Sequence, residues 1–424
     1  MRRVWIGLAS LIGAWLVCSF TLADGVMRDG LGARSGGRGG TNIAFADSGT
    51  VIHDNPAGMA NVSGCGLAAI DLELVATDLQ YEDPFADANA DDDPIPTVQA
   101  AYIRKAADGR LSYGIGVFNP AGFGAEYDMQ GPAILGGVQR YKSLGMLTRV
   151  LPAAAYRVTD RLAVGGTLGV AVSHIELEGP YYLQAPTLFQ GQPTLLDLQS
   201  TGAAPSWSLG LQYQVTPATT IGLSYQDATS FDLQGSARIE HPVLGESSFD
   251  AELDVTWPRW LGLGVRHAIS QRHVVSADVI WFDWSDAFDR LDLRLTNPTD
   301  PLYDLLLGRT FNEYLPLDWA DSTSLRFGYE QHLTPCHVLR CGYVYHRSPI
   351  PESYLTPYLQ TTLEHNFTIG FGWLGRAWET DVSYQYSFDR ERAVGDSLLL
   401  GGDFDDSRHH SQVHIVSVGF TRRW

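Results

Sequence analysis

The sequence predicts an all-β fold, a transmembrane antiparallel β-barrel of 14 strands. Three observations predict it. Segments along the whole chain alternate large apolar residues with small or polar ones, so each strand has two unlike faces. Tight and long connections alternate between those segments, as they do when tight turns lie on one side of a membrane and long loops on the other. The chain opens like an export signal, and no later run reaches the roughly 18 apolar residues of a membrane helix.

The opening segment has a basic "MRR", an apolar "VWIGLASLIGAWLVCSF" and a small-residue "TLA" before Asp24. Residues 1–23 are therefore expected to be a signal peptide, cleaved on export. Cys18 is a poor lipoprotein acceptor because Val17 stands where a small residue is wanted. Residues 24–66 are small, polar and Gly-rich, and "SGTVIHDNPAGMANV" has neither a helical nor a strand period. Such a segment could be a disordered tail, or it could fold back and fill a lumen.

Strands are expected at about 67–79, 97–105, 111–119, 144–157, 161–177, 204–215, 218–230, 249–268, 273–287, 322–332, 337–346, 362–373, 377–388 and 411–424. In "RLAVGGTLGVAVSHIELE", Leu162, Val164, Leu168, Val170 and Val172 share one parity, while Ala163, Gly165, Thr167, Gly169, Ala171 and Ser173 share the other. Tight turns such as "AADGR", "VTDR" and "LTPCH" alternate with long connections near 80–96, 120–143, 178–203, 231–248, 288–321, 347–361 and 389–410. A soluble sandwich also alternates along its strands, so it is the order of connections that favours the barrel. Lipid cannot satisfy an open sheet edge, and the sheet must close. Trp257, Trp281, Trp284, Trp373, Trp378, Tyr213 and Tyr225 read as interfacial girdles. In the last strand Val416, Val418, Phe420 and Trp424 share the lipid-facing parity.

Composition narrows the function. A net charge of -19 over 424 residues argues against a nucleic-acid partner. Four cysteines are too few for a disulfide scaffold. Cys336 and Cys341 flank a tight turn and could pair, although Cys341 has the lipid-facing parity of Leu339 and Tyr343; Cys65 has no evident partner. No Ser–His–carboxylate set falls on adjacent strands, and Ser173 and His174 point to opposite faces, so no catalytic residue is assigned. "ADANADDDP" (86–94) lacks the spacing of an EF-hand loop, and His409, His410 and His414 lack a Cys or carboxylate frame. No metal and no cofactor are expected.

Two outer loops are unusually apolar. Phe123, Tyr127, Ile134 and Leu135 lie in one, Leu188 and Phe189 in the other. They suit capture of an apolar ligand, or mutual packing over the barrel mouth. Alternation points Arg149, Arg266, Arg326 and Arg340 into the lumen. One could pair with a ligand carboxylate; alternatively they form an internal network with Glu330, Glu379, Asp381, Asp278 and Asp254.

"GLGARSGGRGGTNIAFADSGTVIHDNPAGMANV" resembles the N-terminal hatch of the FadL/TodX family of outer-membrane long-chain fatty-acid and hydrocarbon transporters. The resemblance rests on Gly36 to Gly40, Ala46-Asp47 and Asn55-Pro56-Ala57-Gly58. It continues through "GIGVFNPAGFG", "LPAAAYRVTDRLAVGGTLGV" and "LRCGYVYHRSPIPESYLTPYLQTTLEHNFTIGFGW", in the family's order. Glu364, where the family often has Asp-Arg ahead of the His, and the Cys336/Cys341 pair are departures.

The resemblance implies a hatch at 24–66 and a barrel at 67–424. It implies a hydrophobic small-molecule ligand, foremost a long-chain fatty acid, with an aromatic or alkane hydrocarbon as the alternative. Outer loops would capture the ligand, an apolar pocket would hold it, and a kink in the third strand would release it sideways into the bilayer. The gate would be Asn55, Pro56, Ala57 and Gly58, beside an opening at Phe118, Asn119 and Pro120. The protein would be a monomer and not an enzyme, located in the outer membrane of a Gram-negative bacterium. Its partners would be outer-membrane lipid, lipopolysaccharide and the barrel assembly machinery. A general porin or adhesin and a barrel phospholipase are the more distant alternatives.

Overall fold

The computed structural model describes residues 25–424 except 92, 186, 390, 402 and 403. The expected signal peptide lies outside the described residues, as does Asp92 of the acidic loop. No helix among the described residues is long and apolar enough to cross a membrane; this says nothing of a β-barrel.

Fourteen antiparallel strands close on themselves. In chain order they are β1 (Gly66–Glu82), β2 (Ile95–Lys105), β3 (Leu111–Gln130), β4 (Val138–Arg157), β5 (Leu162–Tyr182) and β6 (Pro193–Thr216). Next come β7 (Thr219–Gln226, continued by Thr229–His241), β8 (Gly245–Trp257, continued by Trp260–Ala268) and β9 (His273–Phe282). The last are β10 (Ser322–Thr334), β11 (His337–Tyr345), β12 (His365–Leu374), β13 (Trp378–Phe388) and β14 (Arg408–Arg423). Each pairs with its neighbour in sequence, and β14 pairs back onto β1 from Leu67↔Arg423 to Glu82↔Arg408. Closure removes the edges that lipid could not hydrate.

The alternation sorts the two faces as expected. Leu168, Leu209, Leu263 and Ile369 stand exposed on the outer wall, while Thr167, Ser208 and Thr368 are buried within. Large apolar side chains on a continuous outer face are a liability in water and are what lipid solvates.

Several strands run further than expected. The loops placed at 120–143 and 178–203 are largely the tall hairpins β3–β4 and β5–β6, and 231–248 is the hairpin β7–β8. The reason is chemical. Above the membrane the outward positions turn polar and pair across strands, as Arg140 does with Glu126 at 2.7 Å and Lys142 with Glu176 at 2.8 Å. An apolar count therefore ends each strand too early. The strand expected at 273–287 ends at Phe282, and 288–321 contains a further hairpin (Arg290–Thr296 with Thr310–Pro316) and a short helix, Pro301–Leu307.

Two girdle assignments are corrected. Trp257 and Trp284 are fully buried in the lumen, whereas Trp373, Trp378 and Tyr213 are exposed on the outer wall as expected. Trp284 packs 4.8 Å from Trp319 and 4.9 Å from Phe288, ring centroid to centroid. The cause for Trp257 is a parity slip in β8. Pro258 offers no N–H to the ladder, the strand breaks there, and both Trp257 and Trp260 point inward. The same slip puts Asp254 on the outer surface rather than among the lumen acids.

Candidate transport path

The N-terminal residues fill the barrel because glycine meets glycine. Gly39 and Gly40 have φ of +68° and +69°, which only a residue without Cβ adopts readily. Opposite them the wall is also bare: a Cβ on Gly342 would lie 2.2 Å from the Gly39 nitrogen. The backbone of the hatch can thus lie flat against β11.

Charges then fasten it. Arg38 bonds both Asp47 oxygens, at 2.8 and 2.9 Å, and Glu330 at 3.0 Å. Arg340 bonds Glu330 at 2.7 Å and Asp381 at 2.6 Å, and Arg34 reaches Asp381 and Glu379 at 2.7 Å each. Burial opposes charge on Asp47, but the Arg38 fork, helped by Arg34 and Arg340, holds its carboxyl well below the usual carboxylate range. Arg340, a candidate for binding a ligand carboxylate, is thus committed to this network. Asp278 accepts the N–H groups of Asn42 and Ile43, at 2.8 and 3.1 Å.

The Asn55-Pro56-Ala57-Gly58 turn is wholly buried. Asn55 Nδ2 donates to the Ile43 carbonyl at 2.8 Å and to Leu211 O of β6 at 3.1 Å, and Oδ1 accepts the Ala57 N–H at 3.2 Å. Gly165 and Gly210 leave room for it: a Cβ on Gly165 would fall 2.6 Å from Ala57 N. The turn therefore rests on β5 and β6. Ala57 of the turn also shares a buried apolar cluster with Phe118, at the kink in β3. His53, just before the turn, reaches that kink, its ring 5.7 Å from Phe118.

The kink itself is a bulge. Phe118 faces Arg149 and Ala121 faces Leu147 on β4, so Asn119-Pro120 must fit where one residue would. Pro120 has no N–H to give. On the other side of β3 the ladder stops: β2 and β3 pair from Lys105↔Ser112 only as far as Ala100↔Val117. Beyond that point Ile95 to Gln99 pair with β1. The Gln99 side chain accepts the Asn119 N–H at 2.9 Å, and higher up Asp91 N–H donates to Glu126 O at 2.8 Å. Between these points the described residues form no β2–β3 ladder.

The N-terminal segment closes this gap from inside. Arg28 N–H donates to Pro120 O at 2.9 Å, Gly122 N–H to Val26 O at 3.2 Å, and Met27 bridges Ala121. Against it lies a cavity of about 200 Å³. Val75, Leu79, Ile95, Phe123 and Ile415 make its apolar wall, together with Met146, which is 42% exposed on the outer face of β4. Its polar end is Asp29, His346, Asn366 and Gln385. Arg326 donates to the Asp29 carbonyl, and its other terminal nitrogen stands 3.7 Å from the Asp29 carboxylate. No sequence signal pointed to Asp29, His346, Asn366 or Gln385, because they converge from four separate parts of the chain.

The remaining candidates are dispersed. Arg149 is fully buried opposite the bulge, its three guanidinium nitrogens have no hydrogen-bond partner among the described residues, and it is not on the cavity wall. Arg266 lies over the Phe45 ring, 5.5 Å from its centre. Phe123 lines the cavity, whereas Tyr127 is buried and donates to Gln360 at 2.7 Å. Ile134 and Leu188 are exposed, at 64% and 83%, while Leu135 and Phe189 are half-buried. Cys65, Cys336 and Cys341 are free. Among the described residues no three His, Cys, Asp or Glu side chains form a metal-binding group.

Residues 14–424 match the profile of the outer membrane protein transport protein family (OMPP1/FadL/TodX). No curated protein matches the chain. Among solved structures it is similar to a Pseudomonas aeruginosa FadL homologue, at 16% identity over 94% of this chain and 99% of that one, with a TM-score of 0.76. It is similar to the Pseudomonas putida toluene transporter TodX, at 19% identity over 95% and 100%, TM-score 0.76. It is also similar to the Ralstonia pickettii toluene transporter TbuX, at 20% identity over 93% and 99%, TM-score 0.72. At these identities the structures establish the fold, and the profile match establishes the family. The chain belongs to the OMPP1/FadL/TodX family of outer-membrane transport proteins and is a β-barrel of the Gram-negative outer membrane.

Proposed function

We propose that this protein takes up long-chain fatty acids, passing them from the outer loops through the apolar cavity and out sideways between β2 and β3. The observation that carries the reading is the cavity, whose apolar wall runs from inward-facing Val75 and Leu79 to outward-facing Met146 at the interrupted ladder. An apolar chain gains from leaving water for such a wall and then has lipid, not water, on the far side. The polar end of the cavity suits a ligand with one polar group. Exposed Ile134 and Leu188 are the proposed first contacts, and Phe123 leads inward. The Asn55–Gly58 turn anchors the hatch to β6, and Phe118-Asn119-Pro120 forms the opening.

The alternative cargo is an aromatic hydrocarbon. It is favoured by the similarity to two proteins described as toluene transporters. The test is uptake of radiolabelled oleate and radiolabelled toluene by cells lacking their own outer-membrane fatty-acid transporter. Oleate uptake that depends on this protein supports the first cargo, toluene uptake without oleate uptake the second. Uptake of neither by a correctly folded barrel would overturn both.

A further inference from the structure

We propose that the outer wall at the tight-turn end of β13, β14, β1 and β2 binds the headgroup of an anionic phospholipid of the periplasmic leaflet, with Arg104 and Arg422 as the phosphate donors. The inference does not depend on which cargo the barrel carries.

The register puts four side chains in one row across four strands. Trp378 faces Arg422, Arg422 faces Ala68, and Ala68 faces Tyr102. All have the outward parity, and Trp378, Arg422 and Tyr102 are exposed. Two residues nearer the turns, Arg104 lies opposite Gly66 and is exposed as well. The Trp424 indole crosses β1 there and stacks on Tyr102, with ring centres 5.5 Å apart and planes 30° from parallel. Gly66 leaves room for the crossing, since a Cβ on it would lie 3.0 Å from the indole. The Trp424 backbone is fixed too: it accepts the Cys65 N–H at 2.6 Å and donates to the Gly66 carbonyl at 3.3 Å. An aromatic floor is thus held in place with one arginine on each side.

Outward Trp and Tyr side chains mark the height at which headgroups replace hydrocarbon. Tight turns put this end on the periplasmic side, where the leaflet is phospholipid. Arg104 and Arg422 therefore face phosphates rather than acyl chains. Above the floor, exposed Ile70, Leu72 and Phe420 offer an apolar wall to the chains of the same lipid.

Neither arginine is matched within the protein. Among the described residues they make no ion pair, and Arg422 lies over the Trp378 ring, 5.5 Å from its centre. At the opposite end of the barrel exposed arginines have carboxylate partners, Arg140 in Glu126 at 2.7 Å, Arg238 in Asp197 at 3.0 Å and Arg294 in Glu252 at 3.2 Å. The chain carries a net charge of -19, yet its tight-turn end is basic: Arg110, Arg161, Arg272 and Arg376 are also exposed there, against Asp108 and Asp160. Such a rim attracts anionic lipid as a whole. The guanidinium fork and the aromatic floor localise one lipid at Arg104 and Arg422, because a fork matches phosphate geometry. Two strand spacings and two residues put their Cα atoms roughly 12 Å apart, so extended arginine side chains can close on one headgroup.

The test is native mass spectrometry of the full-length purified barrel, titrated with phosphatidylglycerol or with phosphatidylcholine. The parent should hold the first phosphatidylglycerol roughly tenfold more tightly than phosphatidylcholine. Arg104→Gln/Arg422→Gln should lose most of that preference. Arg161→Gln/Arg272→Gln removes the same charge from the same end and should keep it. If the first pair fails the heat-modifiability check for a folded barrel, Arg104→Gln and Arg422→Gln singly carry the test, each lowering the preference. Equal weakening by the two pairs would reduce the effect to diffuse attraction by the rim and overturn the site. Equal affinity of the parent for the two lipids would overturn it as well.

Discussion

Met27 and Ala121 face each other as an antiparallel bridge, so the N-terminal segment occupies from inside the ladder position that β2 leaves vacant. A barrel wall that must be continuous in lipid is here completed by a short piece of its own hatch. On the proposed path the wall would open where the hatch lets go, without unfolding any strand.

The hatch depends on bare surface on the wall. Gly165→Ala would put a Cβ 2.6 Å from Ala57 N and from the Pro56 carbonyl carbon, both backbone atoms that cannot rotate away. The Asn55–Gly58 turn should lose its seat, with the loss of buried hydrogen bonds worth roughly 1 kcal/mol each. Protease cleavage within residues 25–66 should become rapid in the variant while the barrel keeps its heat-modifiable mobility. Unchanged protection of the hatch would contradict this docking.

The gap can be filled without strain. Gly124 has ordinary room for a side chain, with Ile95 at 3.5 Å and Leu144 at 3.6 Å from the position of its Cβ, and its φ is not in the left-handed region. Gly124→Leu should place its side chain between those two. Oleate uptake should fall several-fold, as a steric block in the path requires, with the barrel's stability within about 1 kcal/mol of the parent. Normal uptake by Gly124→Leu would place the path elsewhere.

Among the described residues Arg149 has no counter-ion. Removing a buried ion in favour of an apolar side chain of similar length is often neutral or stabilising by about 1–4 kcal/mol. Arg149→Met should therefore raise the urea midpoint of the barrel refolded in lipid vesicles. A lower midpoint would mean that the guanidinium is satisfied in the membrane by a bound group.

The Arg38–Asp47 pair sets its own acid limit within the hatch. Asp47 has a folded-state pKa depressed by Arg38. Its contribution is therefore complete above the ordinary aspartate value of about 3.9 and is lost only as the pH falls below that value and through the lower folded one. Hydrogen exchange of the amides flanking Asp47, corrected for intrinsic rate, should be flat between neutral pH and about pH 5. In Asp47→Asn that protection should already be lower at neutral pH. Loosening of the parent near pH 6 would show that another group controls docking.

Alternation of residue faces made the barrel, its strand number and its closed order legible in the sequence, because lipid imposes a period of two on every spanning segment. What alternation misses is a break in the period. Pro258 splits β8, and the parity that places Arg266 correctly sends Asp254 and Trp257 to the wrong sides. The Gly-rich run and Asn55-Pro56-Ala57 were legible as a hatch by resemblance, but their seat on β5 and β6 was not, since it depends on Gly165 and Gly210 far along the chain. The polar end of the cavity was invisible for the same reason. Asp29, His346, Asn366 and Gln385 carry no local pattern and meet only when the sheet closes.

On the proposed path the N-terminal segment must release β3 before an apolar ligand can leave through the wall. The most direct measurement is oleate uptake by cells expressing Met27→Cys/Ala121→Cys, with Cys65, Cys336 and Cys341 replaced by Ser. Bridged antiparallel partners have Cα atoms about 4.5–5.5 Å apart, within disulfide reach. Oxidation should abolish uptake, and reduction of the same cells should restore it. Uptake that continues at the parent rate with the cross-link fully formed would contradict it.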